Sequence, residues 1–381
     1  FVGTYAELGG QGYVQVDGTT FSAPIWVGDP GAKGAAPGDK VTLELTVFPT
    51  PIRPGEGVIT EVLGPRGQPG VDTLMVVRAF NLPDRFDDDV LDEARFAAKR
   101  FSETRIDERA DLRAERTITI DPETAHDFDD AISLTRDQEG FWHLMVHIAD
   151  VAFFVTPDSA LDRSARQRAT SVYLPGLVIP MLPEVLSNSL ASLQSGHVRY
   201  TVTAFLEFNS DGVRTNARFE RSAIRVDQRF SYEQALRVMK ADDEEELGLD
   251  PELIGLLKRM LELAMILRNR RLARGALELN MPEVEVVLGP KREAVGARVV
   301  AQDESHQVIE EFMLAANEAV AELLDSREIP FLHRDHPDPE PRKLKDFAVF
   351  ANSLGFTIEQ AQSRFELQRV LNESATAPER H

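Results

Sequence analysis

Four aspartates crowd into ten residues of this chain, at Asp121, Asp127, Asp129 and Asp130, and the segments on either side read as strands. Thr117-Ile118-Thr119-Ile120 is β-branched throughout and runs directly into Asp121-Pro122-Glu123-Thr124-Ala125-His126-Asp127-Phe128-Asp129-Asp130. Ala131-Ile132-Ser133-Leu134 then alternates as a second strand does. A tight turn that holds this many carboxylates between buried strands suffers repulsion and desolvation unless a cation neutralises them. A hard divalent ion does this well, and magnesium keeps waters and open positions for phosphate oxygens. The plainer alternative is an acidic surface turn whose aspartates cap backbone amides. A calcium loop of EF-hand type lacks support, because neither its glycine nor a flanking helical pair is present. Spacing alone leaves phosphoryl transfer, phosphatase action and structural metal binding open.

Composition narrows the metal chemistry. The chain has no cysteine, which excludes disulfides and thiolate ligands and fits a reducing compartment. Any metal is therefore held by oxygen or imidazole, and 63 acidic side chains favour oxygen. The net charge of −21 argues against a protein that coats nucleic acid through a basic stripe. An acidic enzyme can still bind RNA through one positive channel or through cations recruited to carboxylates. No apolar run approaches the roughly 18 residues of a membrane span, and no signal sequence opens the chain. We expect no membrane association and a cytoplasmic location. Because residue 1 is Phe1, the native N-terminus is expected to lie elsewhere.

At 381 residues the chain can form two or three domains. Residues 1–75 are rich in Gly and Pro with short alternating runs at residues 12–16, 23–27, 40–48 and 57–64. Four or five short strands without a helix predict a small barrel, of which the OB fold is the commonest nucleic-acid version. Tyr13, Phe21 and Trp26 are positioned either to stack on bases or to fill the barrel core. Charged residues 85–116 carry helical spacing and predict a solvated connecting helix. Asp250-Pro251-Glu252 opens an apolar stripe that Gly275 closes, a second helix starts near Ser305, and a third runs from Asp338-Pro339 to about Gly355. The acidic run Asp242 to Glu246 reads as a solvated loop.

The stretch Asp121 to Ala131 resembles the signature of the RNB catalytic domain of the ribonuclease II/R family. The resemblance continues in the family's order through His147-Ile148-Ala149-Asp150-Val151, Ser159-Ala160-Leu161-Asp162, Thr170 to Pro175, Ile179 to Pro183 and Leu186-Ser187-Asn188. Arg274-Gly275-Ala276-Leu277 and Ser305 to Asn317 extend it, and Gly57 to Gly70 resembles the end of a cold-shock-type OB domain. The implied architecture is α+β: an OB-like barrel over residues 1–75, then a mixed α/β RNB catalytic domain over residues 76–381 lacking its C-terminal part. The family's arginine motif, which clamps the reacting phosphate, is expected beyond His381, as is a further OB domain.

The resemblance also assigns roles. Asp121, Asp127 and Asp130 would hold magnesium or manganese at the scissile phosphate, and Asp129 matches the family's most directly catalytic aspartate. Carboxylate-held metal ions screen the phosphate, activate water and stabilise the leaving oxyanion. Tyr173 matches an aromatic that stacks the terminal base, a contact indifferent to sequence. A second clamp aromatic, found in some relatives, is replaced near Glu278 and Leu279. His126 and His147 are expected to be structural; of Glu310 and Glu311, one would face the RNA and the other water. The implied activity is a monomeric 3′-to-5′ exoribonuclease acting on single-stranded RNA. The rivals are a non-catalytic RNA-binding scaffold and a metal-dependent phosphatase or DNase.

Overall fold

The computed structural model describes residues 1–106, 108–242, 247–279, 283–300, 302–334 and 337–375. Along the chain the first strands are β1 (Val2–Leu8), β2 (Gln11–Val16), β3 (Ile25–Val27), β4 (Asp39–Val47) and β5 (Glu56–Pro65), followed by helices α1 (Val71–Ala79) and α2 (Asp88–Arg100). Next come β6 (Ala110–Leu112), β7 (Ile118–Asp121), β8 (Asp130–Arg136) and β9 (Trp142–Ala149), then α3 (Val151–Phe154) and α4 (Ala160–Arg168). A hairpin of β10 (Val172–Leu174) and β11 (Leu177–Ile179) precedes β12 (Val198–Phe208), β13 (Arg214–Arg225) and β14 (Gln228–Ser231). Helices α5 (Tyr232–Met239) and α6 (Pro251–Ala273), a hairpin of β15 (Glu283–Leu288) and β16 (Ala294–Val300), and helices α7 (Glu304–Ser326), α8 (Pro341–Ser353) and α9 (Arg364–Ala375) complete the series.

Two compact units result. One comprises Phe1–Ala97, Val155–Glu184 and Glu283–Val300; the other comprises Ala98–Phe154, Val185–Pro282 and Ala301–His381. In the first, β1 to β5 close a barrel in the order β1-β2-β3-β5-β4. Alternation turns Val14, Val16, Ile25, Val27, Val41, Leu43 and Ile59 into its core. The same alternation sends Tyr13 and Trp26 outward, where they face each other as a cross-strand pair. Phe21 instead packs partly against the core and meets Phe1 edge to face. Closure brings β1 hard against β2: a Cβ on Gly3 would lie 2.5 Å from the Gln15 carbonyl oxygen.

The second unit is built on a seven-stranded sheet in the order β14-β7-β8-β9-β12-β13-β6. One face carries Ile118, Ile120, Ile132, Leu134, Leu144, Val146 and Leu206, which pack with apolar residues of α5, α6 and α7 such as Leu257, Met260 and Phe312. A buried belt of hydroxyls crosses the strands. Thr117 bonds Ser133 at 2.8 Å, Ser133 meets His147 Nε2 at 3.1 Å, and His147 Nδ1 meets Thr203 at 2.8 Å. Ser222 extends the belt through Thr201 at 2.7 Å. Burial pushes the His147 imidazole down to about 3, so it stays neutral and structural.

Several sequence expectations gain detail. The connecting helix stops at Arg100, and the short edge strand β6 begins at Ala110, paired with β13. Helix α1 and strand β1 were not anticipated, nor was α9 beyond Gly355. Helix α6 begins with its Asp250 cap and N1 proline as read. Residues 243–246 of the acidic run lie outside the described residues. No helix among the described residues is long and apolar enough to cross a membrane.

Candidate active site

Asp121 ends β7 beside Ser231 of β14, and Asp130 begins β8 opposite Ile148 of β9. The two aspartates thus stand at the same end of adjacent strands, joined by the loop of residues 122–129. That loop is pinned from several distant elements. Phe128 is buried with Ala131, Ala149, Leu193, Ile224 and Val226, and so anchors the chain between Asp127 and Asp129. The Ser192 hydroxyl accepts from the Phe128 N–H at 3.1 Å and donates to the His126 carbonyl at 2.8 Å. The Leu193 N–H donates to the Phe128 carbonyl, and the Ala149 N–H to that of Asp129, each at 2.9 Å. Arg229 Nη2 donates to the carbonyls of Pro122 at 2.7 Å and Glu123 at 2.9 Å, and its guanidinium lies 5.0 Å from the Phe128 ring centre.

The carboxylates act on one another. Burial first, then the Asp130 charge, pushes Asp121 up to about 7; Asp127 adds to this while Thr119 and Arg229 oppose it. Asp130 rises to about 6 through burial and the charge of Asp129. Asp129 is raised by burial and by Asp127. Its surface is the most open of the four. The hydroxyl of Tyr232, the first residue of α5, is pushed up to about 12 by burial and by Asp130 and Asp121, so it stays a hydrogen-bond donor. Its ring stacks on His306 at 3.8 Å.

A cation is the natural counterpart of this arrangement. Every candidate donor is oxygen, the class that magnesium and calcium take. Asp121 is buried and its Oδ2 has no hydrogen-bond partner, which leaves a costly charge unless an ion or proton meets it. In the arrangement as it stands, no three His, Asp or Glu side chains among the described residues are set to share one ion. The donor chemistry and the orphaned oxygen fit a divalent ion.

A pH prediction follows. Asp121 and Asp130 hold protons in the folded chain where ordinary aspartates, near 4, have lost theirs. The folded state then binds more protons than the unfolded one, so their contribution to stability falls as pH rises from about 4 to about 7. In EDTA, wild type is expected to lose about 2 kcal/mol relative to Asp121→Asn between about pH 5 and pH 8. Denaturant unfolding of both proteins at each pH measures the difference; a flat difference refutes the buried-carboxylate account.

Of the residues singled out in the sequence, the four aspartates come together where β7 ends and β8 begins. Tyr173 belongs to the other compact unit, where it lies on the β10–β11 hairpin opposite Val178 with its ring exposed. Glu311 is not solvated. It is buried at 3 % exposure on α7, and Arg271 of α6 grips it, with Nε at 3.0 Å from Oε1. Glu310 is more open and also meets Arg271, at 3.1 Å. Ser192, Arg229 and Tyr232 were missed. Only Tyr232 left a local trace, the Ser231 and Gln234 capping box that starts its helix.

Comparison with known proteins bears on this geometry. The RNB domain model matches residues 109–381 and a cold shock domain model matches residues 13–87. Ribonuclease R 1 of Lactococcus lactis is 35% identical over 343 residues, covering 89% of this chain and 42% of that protein. Ribonuclease R of Thermotoga maritima is 35% identical over 357 residues, covering 93% of this chain and 50% of its own length. The chain thus spans about half the length of the curated relatives it matches. The structure of Mycoplasma genitalium RNase R in complex with ribose methylated single-stranded RNA superposes with a TM-score of 0.88 at 26% identity, covering 99% of this chain and 60% of that one. Yeast Ssd1, a pseudonuclease, shares the fold with a TM-score of 0.69 at 16% identity, covering 100% of this chain and 47% of that one.

Proposed function

This chain belongs to the ribonuclease II/R family of RNB-domain proteins, and on that footing we propose that it hydrolyses single-stranded RNA from the 3′ end. The observation that carries the reading is the set of four aspartates pinned where β7 ends and β8 begins, among which neighbouring carboxylates raise the proton affinity of Asp121, Asp129 and Asp130. Asp121, Asp127 and Asp130 would hold magnesium or manganese. Such an ion, when bound, screens the phosphate and the departing oxyanion. Asp129, the most open of the four and with raised proton affinity, orients the attacking water and takes its proton. Water adds to phosphorus in line, the bond from phosphorus to the penultimate O3′ breaks, and a nucleoside 5′-monophosphate leaves. Tyr173 stacks the terminal base without regard to its identity.

In this proposal residues 1–75 form an RNA-binding arm and residues 76–381 the catalytic domain. The outward pair Tyr13 and Trp26 supports the first assignment, since such aromatics offer a base-stacking platform. The protein would act as a cytoplasmic monomer.

A second reading is an RNA-binding scaffold without turnover. It is favoured by the absence, among the described residues, of three acidic or imidazole side chains set on one ion. Incubating the chain with 5′-labelled single-stranded RNA, with and without EDTA, separates the two. Stepwise shortening that EDTA abolishes and magnesium or manganese restores is the expected result. Binding without shortening would support the scaffold. An all-deoxy analogue, expected to persist, tests for reading of the 2′-hydroxyl.

A further inference from the structure

We propose that Ser192 is the positioning residue for Asp127, and thereby sets the affinity of the aspartate cluster for a divalent cation. The inference deepens the nuclease reading and rests on it for its biological meaning. Its geometry is specific. One hydroxyl, fully buried, accepts from the N–H of residue 128 and donates to the carbonyl of residue 126. These are the two groups that flank Asp127 along the backbone, so one side chain restrains the peptide unit on each side of that carboxylate.

Ser192 is itself held on both flanks. Its carbonyl accepts from the buried Arg199 guanidinium, with Nε at 2.8 Å. The next residue, Leu193, donates its N–H to the Phe128 carbonyl and packs against the Phe128 ring. The restraint therefore reaches the loop from a residue that is itself buried and hydrogen-bonded on both sides. Within the loop the Ala125 N–H donates to the Pro122 carbonyl at 3.0 Å, and Ser192 adds two restraints from a distant part of the chain. Carboxylates this close repel one another, and the two Ser192 bonds hold the backbone on either side of Asp127 against that repulsion. A neutral hydroxyl does so without placing a competing positive charge beside the cation.

The test uses the 381-residue chain and Mn2+ as probe, with binding followed by the loss of the free-ion EPR signal. Ser192→Ala is compared with Ser222→Ala, which removes an equally buried hydroxyl from the belt beneath β12 and β13. Ser192→Ala is expected to weaken Mn2+ binding about tenfold, as loss of groups that orient metal ligands does. Ser222→Ala is expected to shift the thermal midpoint comparably while leaving Mn2+ affinity within twofold, roughly the scatter of uncoupled sites. On RNA, Ser192→Ala should lower kcat with little change in KM. Equal Mn2+ affinity in wild type and Ser192→Ala overturns the proposal, as does equal weakening by both variants. A wild-type chain that binds no Mn2+ overturns it as well. A wild-type chain that binds Mn2+ but never shortens RNA removes the nuclease reading alone, and the Mn2+ comparison still decides the role of Ser192.

Discussion

Asp129→Asn is expected to lower the single-turnover rate of RNA shortening by at least about a thousandfold, the scale at which loss of one essential group disables a concerted site. RNA affinity should stay within about twofold, because the substitution keeps shape and removes one charge. Asparagine can still hold a water but cannot take its proton. The same change removes the like charge that raises the proton affinity of Asp130. The variant should therefore unfold at a slightly higher temperature than wild type in EDTA near neutral pH. That combination, dead and no less stable, separates a catalytic role from a structural one. Quenched-flow cleavage of labelled RNA, filter binding and thermal unfolding supply the three readings. Normal turnover by Asp129→Asn would defeat the role assigned to it.

Asp150→Ala should produce the largest loss of stability. Asp150 Oδ2 accepts from Arg109 Nη2 at 2.6 Å, and their side chains are 5% and 8% exposed. The guanidinium also lies 4.2 Å from the Tyr200 ring centre and 5.5 Å from that of Phe153, and it donates to the Thr201 carbonyl. Removing the carboxylate leaves that charge buried without its partner, at a cost of about 3–5 kcal/mol. For a unit of this size the thermal midpoint should fall by roughly 10 °C. The double change Arg109→Met with Asp150→Leu should recover much of the loss, because an apolar pair carries no desolvation penalty. Thermal and denaturant unfolding decide it; a single variant as stable as wild type would show that solvent already reaches the pair.

Both expectations begin from residues that the sequence displays, but they draw on different ranges of interaction. The cluster that contains Asp129 could be read from spacing, since the crowding of carboxylates between two β-branched runs is a local fact, whereas the choice of Asp129 within it came from the family resemblance. The helix starts at Asp250 and Asp303 are equally local, because a capping side chain bonds within three residues. Strand β1 was harder to see: Val2, Tyr5 and Leu8 do not alternate, and the barrel alone decides which side of each is covered. Asp150 looked like part of a motif, and nothing near it announced that Arg109, 41 residues earlier, would close over it.

By itself the sequence determined a small barrel followed by a mixed α/β body, the strand–turn–strand that carries Asp121 to Asp130, and the capped helices behind it. These depend on alternation, helical spacing and capping, which act over a few residues. Only the tertiary structure decided that Ser192 and Arg229, 64 and 107 residues from their loop partners, would clamp that turn. It also turned Trp26 outward while Phe21 packed inward, and drew Glu311 into the grip of Arg271. Such choices follow from which surfaces a closed sheet leaves uncovered and which charges burial forces into contact. No short-range pattern encodes them.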